Sequence, residues 1–102
     1  MAPPGLKLQQ KFEVDETKVT YRVIGDEAVI LNLDTGHYFA LNDVGTDIWR
    51  LLVEQKKSLG EALEALAETY GKQVTKSRVR DDLCDIVGDL VKEGLLEEED
   101  SK

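Results

Sequence analysis

The 102-residue chain is poor in the residue types from which small catalytic and metal sites are built. It has one cysteine, Cys84, and one histidine, His37. No intramolecular disulfide can form, and a four-ligand zinc site would need additional carboxylates. The sequence also has no glycine-rich phosphate loop, and its carboxylates are scattered rather than paired for acid–base work. These absences predict a protein that is not an enzyme and that has neither a metal site nor a cofactor.

Long apolar runs are missing as well. No stretch approaches the roughly 20 apolar residues that span a bilayer, and the first residues lack the apolar core of a signal peptide. A single cysteine is typical of proteins in a reducing compartment. We therefore expect a cytoplasmic protein with no membrane partner.

Positive charge is scarce. The formal net charge is −8, and one cationic cluster stands out, formed by Lys72, Lys76, Arg78 and Arg80. An acidic chain repels a phosphate backbone unless its cations are gathered on one face. Nucleic acid is therefore not an expected partner.

The composition fits one domain between two tails. The chain is 41% hydrophobic, which supports a core, and both prolines lie among its first four residues. Residues 1–17 show no periodicity and are predicted to form a flexible N-terminal tail. Residues 98–102 continue a run of like charges and are predicted to form an acidic C-terminal tail. The domain is then residues 18–97.

Three short strands are predicted at the start of this domain. Val19–Ile24 ends at a turn signal beginning with Gly25, and Ala28–Leu33 ends at a tight hairpin closed by Gly36. His37–Leu41 follows as the third strand. Because both connections are short, the strands form an antiparallel meander with the third strand at an edge.

Three helices are predicted to follow. The first begins at Asn42 or Asp43, which are both favourable N-caps. The second opens with a capping box, Ser58 to Glu61, and the third begins at Thr75 and ends at Gly94. The predicted fold is α+β: a three-stranded antiparallel meander followed by three helices, similar to a winged helix.

A longer pattern overlaps the last two strands and the first helix. It has an apolar strand, a D-x-x-G-x-Y hairpin from Asp34, then L-N, and an I-W pair at Ile48 and Trp49. Downstream, Asp82-Leu83, Ile86-Val87, Leu90 and Gly94-Leu95-Leu96 resemble a closing helix. Together these motifs resemble the PqqD-like family over about residues 18–97.

The resemblance implies a peptide-recognition element. Such domains bind the leader of a ribosomally made precursor peptide and present it to a tailoring enzyme, often a radical S-adenosylmethionine enzyme, as in pyrroloquinoline quinone biosynthesis. The peptide would add as a strand to the open edge. In the family the binding pockets lie between the third strand and the third helix. That location implies a site formed by His37, Tyr38, Phe39, Ala40 and Leu41 on the strand and by Asp81, Cys84, Asp85 and Gly88 on the helix.

Three other uses of the same fold stay open. The helices alone permit a winged-helix DNA-binding regulator, although the third helix carries Asp81, Asp82, Asp85 and Asp89. The domain is also compatible with a subunit bound constitutively to a larger protein. In addition, the open edge strand would allow two copies to pair as a homodimer.

Overall fold

The three predicted strands form one antiparallel sheet in the computed structural model, which describes residues 8–72 and 74–99. A two-residue strand, β1, precedes them at Phe12–Glu13. The sheet strands are β2 (Val19–Ile24), β3 (Glu27–Asn32) and β4 (Tyr38–Leu41), in the order β2-β3-β4. The predicted meander is therefore confirmed, with β4 at an edge of the sheet.

Two glycines make the connections between these strands. Gly25 and Gly36 have φ values of +61° and +78°, in the left-handed region that other residues rarely adopt. In the second hairpin, the N–H of Gly36 donates to the carbonyl of Asn32. This tight turn sets the register in which Ile30 faces Phe39 across β3 and β4.

Three helices follow, as predicted from their caps. In α1 (Asp43–Trp49) the Asn42 side chain accepts from the N–H of Gly45, which identifies the N-cap that the sequence left open. Ser58 and Glu61 form the predicted capping box of α2 (Leu59–Tyr70). Thr75 caps α3 (Lys76–Lys92), and Gly94 follows that helix with φ +78°.

The first helix does not end at Trp49 but continues as a wider turn. Arg50–Glu54 is π-helical, with the N–H of Gln55 donating to the carbonyl of Arg50 at 2.8 Å. This turn contributes Leu52 and Val53 to the core. The indole of Trp49, 0% exposed, contacts the Tyr21 ring edge-to-face at a centroid distance of 5.1 Å. The helix is thereby packed against the inner face of the sheet.

The ends of the chain differ from the prediction of two tails. The side chain of Phe12 is fully buried in the core, and β1 pairs antiparallel with β5 (Glu97–Glu98). The N–H groups of Leu59 and Gly60 also donate to carbonyls of residues 8–10. The tail prediction was wrong for residues 8–17 because a two-residue strand has no visible period and the burial of Phe12 depends on distant residues. Residues 1–7 and 100–102 lie outside the described residues.

Candidate functional site

The open edge of β4 is the first component of the site. Directly opposed residues of an antiparallel pair alternate between pairs that exchange backbone hydrogen bonds and pairs that do not. The N–H of Asn32 donates to the carbonyl of His37 at 2.8 Å, which places Phe39 and Leu41 in the hydrogen-bonded pairs with β3. The N–H and C=O groups of Tyr38 and Ala40 therefore point away from the sheet. Among the described residues, no backbone or side-chain group satisfies them.

An apolar cavity of about 370 Å³ lies beside this edge. We call it the β4–α3 groove, because strand β4 forms one wall and helix α3 forms the other. The floor is apolar, with Leu90 almost fully buried and Phe39, Leu41 and Ile86 half-buried. The lining residues are Phe39, Ala40, Leu41, Ile86, Asp89, Leu90 and Glu93.

The groove continues toward the beginning of α3. A second cavity shares Ile86 with it and also includes Asn42 and Asp85. At the other end, the Asn32 side chain donates to the carbonyl of Glu93 at 3.3 Å. The β3–β4 hairpin thus lies near the end of α3, while Asn42, just after β4, lies near its middle. Strand and helix therefore run side by side in opposite directions.

A third cavity, among the three helices, adjoins the second through Val44 and Asp82. Its wall includes Tyr70, whose hydroxyl donates to the Asp47 carboxylate at 2.6 Å. This hydrogen bond, together with partial burial and the negative charge of Asp47, raises the pKa of Tyr70 to about 12. The phenol therefore remains a neutral donor at any physiological pH.

Most of the predicted strand residues lie at this groove. Phe39, Ala40 and Leu41 line it, and the Tyr38 side chain is 71% exposed at the same edge. His37 is exposed at the end of the hairpin loop. On the helix, Asp85 lines the second cavity. The structure therefore places Phe39, Ala40 and Leu41 in the groove and Asp85 in the adjoining cavity.

The remaining predicted helix residues do not line the cavities at this site. Cys84 is only 2% exposed, and burial raises the pKa of its thiol. Successive helix residues are about 100° apart, so Cys84 and Gly88 project about 100° around the helix from Asp85 and Asp89. The lining of the three cavities includes neither Cys84, Gly88 nor Asp81.

The site residues predicted from the sequence do not include Ile86, Leu90 and Glu93. Asp89 is absent from that set as well, although its charge, with those of Asp81 and Asp85, suggests an attraction for a basic leader. Leu90 belongs to the buried core, and Ile86 packs against it. Their spacing with Asp89 and Glu93, at three and four residues, is the pattern of one helix face. The spacing in the sequence therefore shows that these residues share a face, but it does not show which side of the buried face of α3 lies beside β4.

The carboxylates of α3 differ in whether they form ion pairs within the described part of the chain. Arg78 contacts Asp82 at 3.4 Å, whereas Asp85, Asp89 and Glu93 make no ion pair there. No group of three or more His, Cys, Asp or Glu residues in these ranges is placed to hold a metal ion. No described helix is long and apolar enough to span a membrane. The site therefore consists of an open strand edge, an apolar floor and an acidic wall.

Comparison with known proteins gives two kinds of match. Residues 27–96 match the family model for coenzyme PQQ synthesis protein D (PqqD). A solved structure of TbiB1 in complex with the TbiA(beta) leader peptide is 36% identical, covers 87% of this chain and 99% of its own, and superposes with a TM-score of 0.75. A lasso peptide synthetase B1 complexed with the leader peptide is 21% identical, covers 85% and 98%, and has a TM-score of 0.74. No curated protein matches the sequence. The chain belongs to the PqqD family.

Proposed function

We propose that this chain is a non-catalytic module that binds the leader of a ribosomally made precursor peptide along β4 and presents it to a tailoring enzyme. The observation that carries the proposal is the open edge at Tyr38 and Ala40, which lies beside an apolar groove. The 36% identical TbiB1 structure, solved with a leader peptide, supports the same use of the fold.

Backbone pairing alone would give weak and sequence-blind binding. Tyr38 and Ala40 offer two N–H and two C=O groups, and each hydrogen bond contributes about 0.5–1.5 kcal/mol net. Ordering a flexible peptide offsets part of this gain. The groove supplies the remainder, because the apolar parts of peptide side chains can be buried on its floor, and complete burial of one large apolar side chain contributes about 1.5–3 kcal/mol. Specificity must therefore come from the side chains that enter the groove.

The proposed contact surface combines predicted residues with residues that the structure adds. Tyr38, Phe39, Ala40 and Leu41 form the strand side, with Asp85 and the groove-lining residues of α3 opposite. His37, Asp81, Cys84 and Gly88 stay predictions, and Cys84 would have to become exposed before a peptide could touch it.

The second partner is an enzyme that modifies the bound peptide. A radical S-adenosylmethionine enzyme is one such class, and co-purification with the enzymes encoded nearby would identify the class that binds. Pairing of two copies through β4 would give a homodimer, but it would occupy the edge that the peptide needs. Light scattering with and without peptide therefore separates the two uses of the strand.

A proline at Ala40 tests strand addition directly. Because the N–H of Ala40 points out of the sheet, Ala40→Pro removes no ladder hydrogen bond, and edge strands tolerate proline in such positions. The ring would remove one donor and obstruct the incoming strand. The ligand is the leader peptide of the precursor that is encoded nearest to the gene of this chain. We expect its affinity, measured by isothermal titration, to fall at least about ten-fold. The unfolding midpoint should be almost unchanged.

The matched control is Val23→Pro on the opposite edge. The N–H of Leu33 donates to the carbonyl of Lys18, and the same alternation makes the N–H of Val23 point outward from β2. Val23 also packs against the core, so this variant should lose some stability. Its proline lies away from the groove, and under conditions in which it is folded it should keep its affinity. Equal binding by the Ala40→Pro variant and the native chain would refute strand addition at β4.

A further inference from the structure

We propose that the segment bound along β4 carries lysine or arginine at alternating positions, and that these side chains pair with Asp85, Asp89 and Glu93 on α3. We call these three residues the acidic row. The inference rests on the proposed function, because it takes strand addition at β4 as given. It goes further by naming the chemistry of the peptide residues that face the helix.

The acidic row lies where a paired strand would project its side chains. Asp89 and Glu93 line the β4–α3 groove, and Asp85 lines the cavity that continues it. All three are exposed, and they make no ion pair within residues 8–72 and 74–99. Consecutive members are four residues apart, so they share one face of the helix.

This arrangement is unfavourable for the isolated helix. Like charges four residues apart destabilise a helix by about 0.2–0.5 kcal/mol per pair, and the row contains two such pairs. Carboxylates are also disfavoured toward a helix C-terminus by the helix dipole. Lys92 is the one basic residue in the last turn. Cations supplied by a partner would relieve both effects, which makes the row more consistent with binding than with folding.

The spacing of the row matches an extended peptide. Residues four apart in an α-helix rise about 6 Å, and residues two apart in a strand rise about 6.7 Å. Because β4 and α3 run side by side, a strand added to β4 also follows α3. Alternate side chains of that strand would therefore meet Asp85, Asp89 and Glu93 in turn.

Long cationic side chains fit the groove better than short apolar ones. Residues of an added strand that point toward α3 share the sheet face of Phe39 and Leu41, so they first meet an apolar floor. Lysine and arginine can lay their aliphatic stems on Ile86 and Leu90 while their charged heads reach the carboxylates above. The intervening peptide residues share the solvent face of Tyr38 and are left unspecified.

The test is selection from a displayed library of random 12-residue peptides, with binding sites located by the backbone amide shifts of the ¹⁵N-labelled chain. We expect enrichment of lysine or arginine at every second position. Replacing the acidic row (Asp85→Asn, Asp89→Asn and Glu93→Gln) should weaken the selected peptides about ten-fold in low salt, or about two-fold for each exposed pair. In 0.5 M salt the loss should shrink, because screening is then strong.

A second triple variant with the same change in charge serves as the control. Glu16→Gln, Glu27→Gln and Glu68→Gln remove three exposed carboxylates that do not line the groove, and affinity should be retained. Peptides that shift the amides of Tyr38 and Ala40 but lack alternating cations would overturn this inference and leave the proposed function standing. A selection that yields no peptide bound at those amides would overturn both.

Discussion

The first and second halves of α3 differ in whether their charged side chains form ion pairs. At its beginning, Lys76 contacts Glu64 at 2.6 Å and Arg78 contacts Asp82 at 3.4 Å. Toward its end, the acidic row has no ion pair among the described residues. Both ends lie on the same core through buried apolar residues such as Leu83 and Leu90. The difference between them is therefore not required for packing, and it supports the proposal that a cationic peptide lies along the acidic row.

The same comparison disfavours DNA binding. A recognition helix contacts phosphates and base edges through cations, but the acidic row occupies the exposed flank of α3 beside the groove. The cations of its first turns are partly engaged with carboxylates. The third helix of this winged-helix-like fold therefore presents the wrong charge to a duplex.

The largest expected effect separates the core face of α3 from its groove face. Leu83 is 1% exposed, and Leu83→Ala should lower the free energy of unfolding by about 3 kcal/mol through the cavity it leaves. Ile86→Ala removes a half-buried side chain from the groove floor. Compared with Leu83→Ala, it should lower the free energy of unfolding less and weaken peptide binding more. Chemical denaturation and peptide titration of both variants measure the two effects. If the ratio of stability loss to affinity loss is the same for the two variants, the core face and the groove face do not differ in function.

Reversing one charge in the row should mainly affect binding. Asp85→Lys replaces an attraction for a cationic peptide with a repulsion, and we expect about a five-fold loss of affinity at low salt. The new lysine stands four residues from Asp89, so the helix itself should become slightly more stable. Glu68→Lys makes the same charge change on α2, away from the groove. If both variants lose affinity equally, the effect comes from net charge and not from the row.

Stability at the junction of β4 and α1 should depend on the Asn42 cap. Its side chain accepts from the N–H of Gly45 at 2.9 Å, and Asn42→Ala should cost about 1 kcal/mol. Asn42 also borders the second cavity, but its amide is engaged in the cap, so peptide affinity should change little. Asn42→Ser keeps a capping oxygen and should restore stability. A large loss of affinity in both variants would show that Asn42 contacts the peptide.

Local signals in the sequence predicted the elements, while contacts between distant residues decided the rest. Turn glycines and capping residues such as Gly36, Asn42 and Ser58 are recognisable because their preferences depend on immediate neighbours. The pairing of Phe12 with Glu98 joins the two ends of the chain, and no local period indicates it. Of the residues predicted for the site, Phe39, Ala40 and Leu41 line the groove and Asp85 lines the adjoining cavity; their role in binding stays a prediction. The sequence did not show which flank of α3 faces β4, because helical spacing fixes relative angles and not the orientation of the helix.

The smallest expected effect comes from breaking an ion pair in the first part of α3, so that its carboxylate is unpaired like those of the acidic row. Arg78 and Asp82 are 69% and 48% exposed, so their ion pair contributes at most about 0.5 kcal/mol, and Arg78→Ala should leave stability almost unchanged. The variant would, however, leave Asp82 without its cation at the wall of the second cavity. The series of unpaired acidic residues would then begin at Asp82 and no longer at Asp85. A cationic peptide long enough to reach Asp82 should bind up to about two-fold more tightly. Titrating a short and a long cationic peptide into this variant measures the difference. A gain for both lengths would indicate a general effect of charge, whereas a gain for the long peptide alone would show that pairing within α3 sets how far the acidic wall extends.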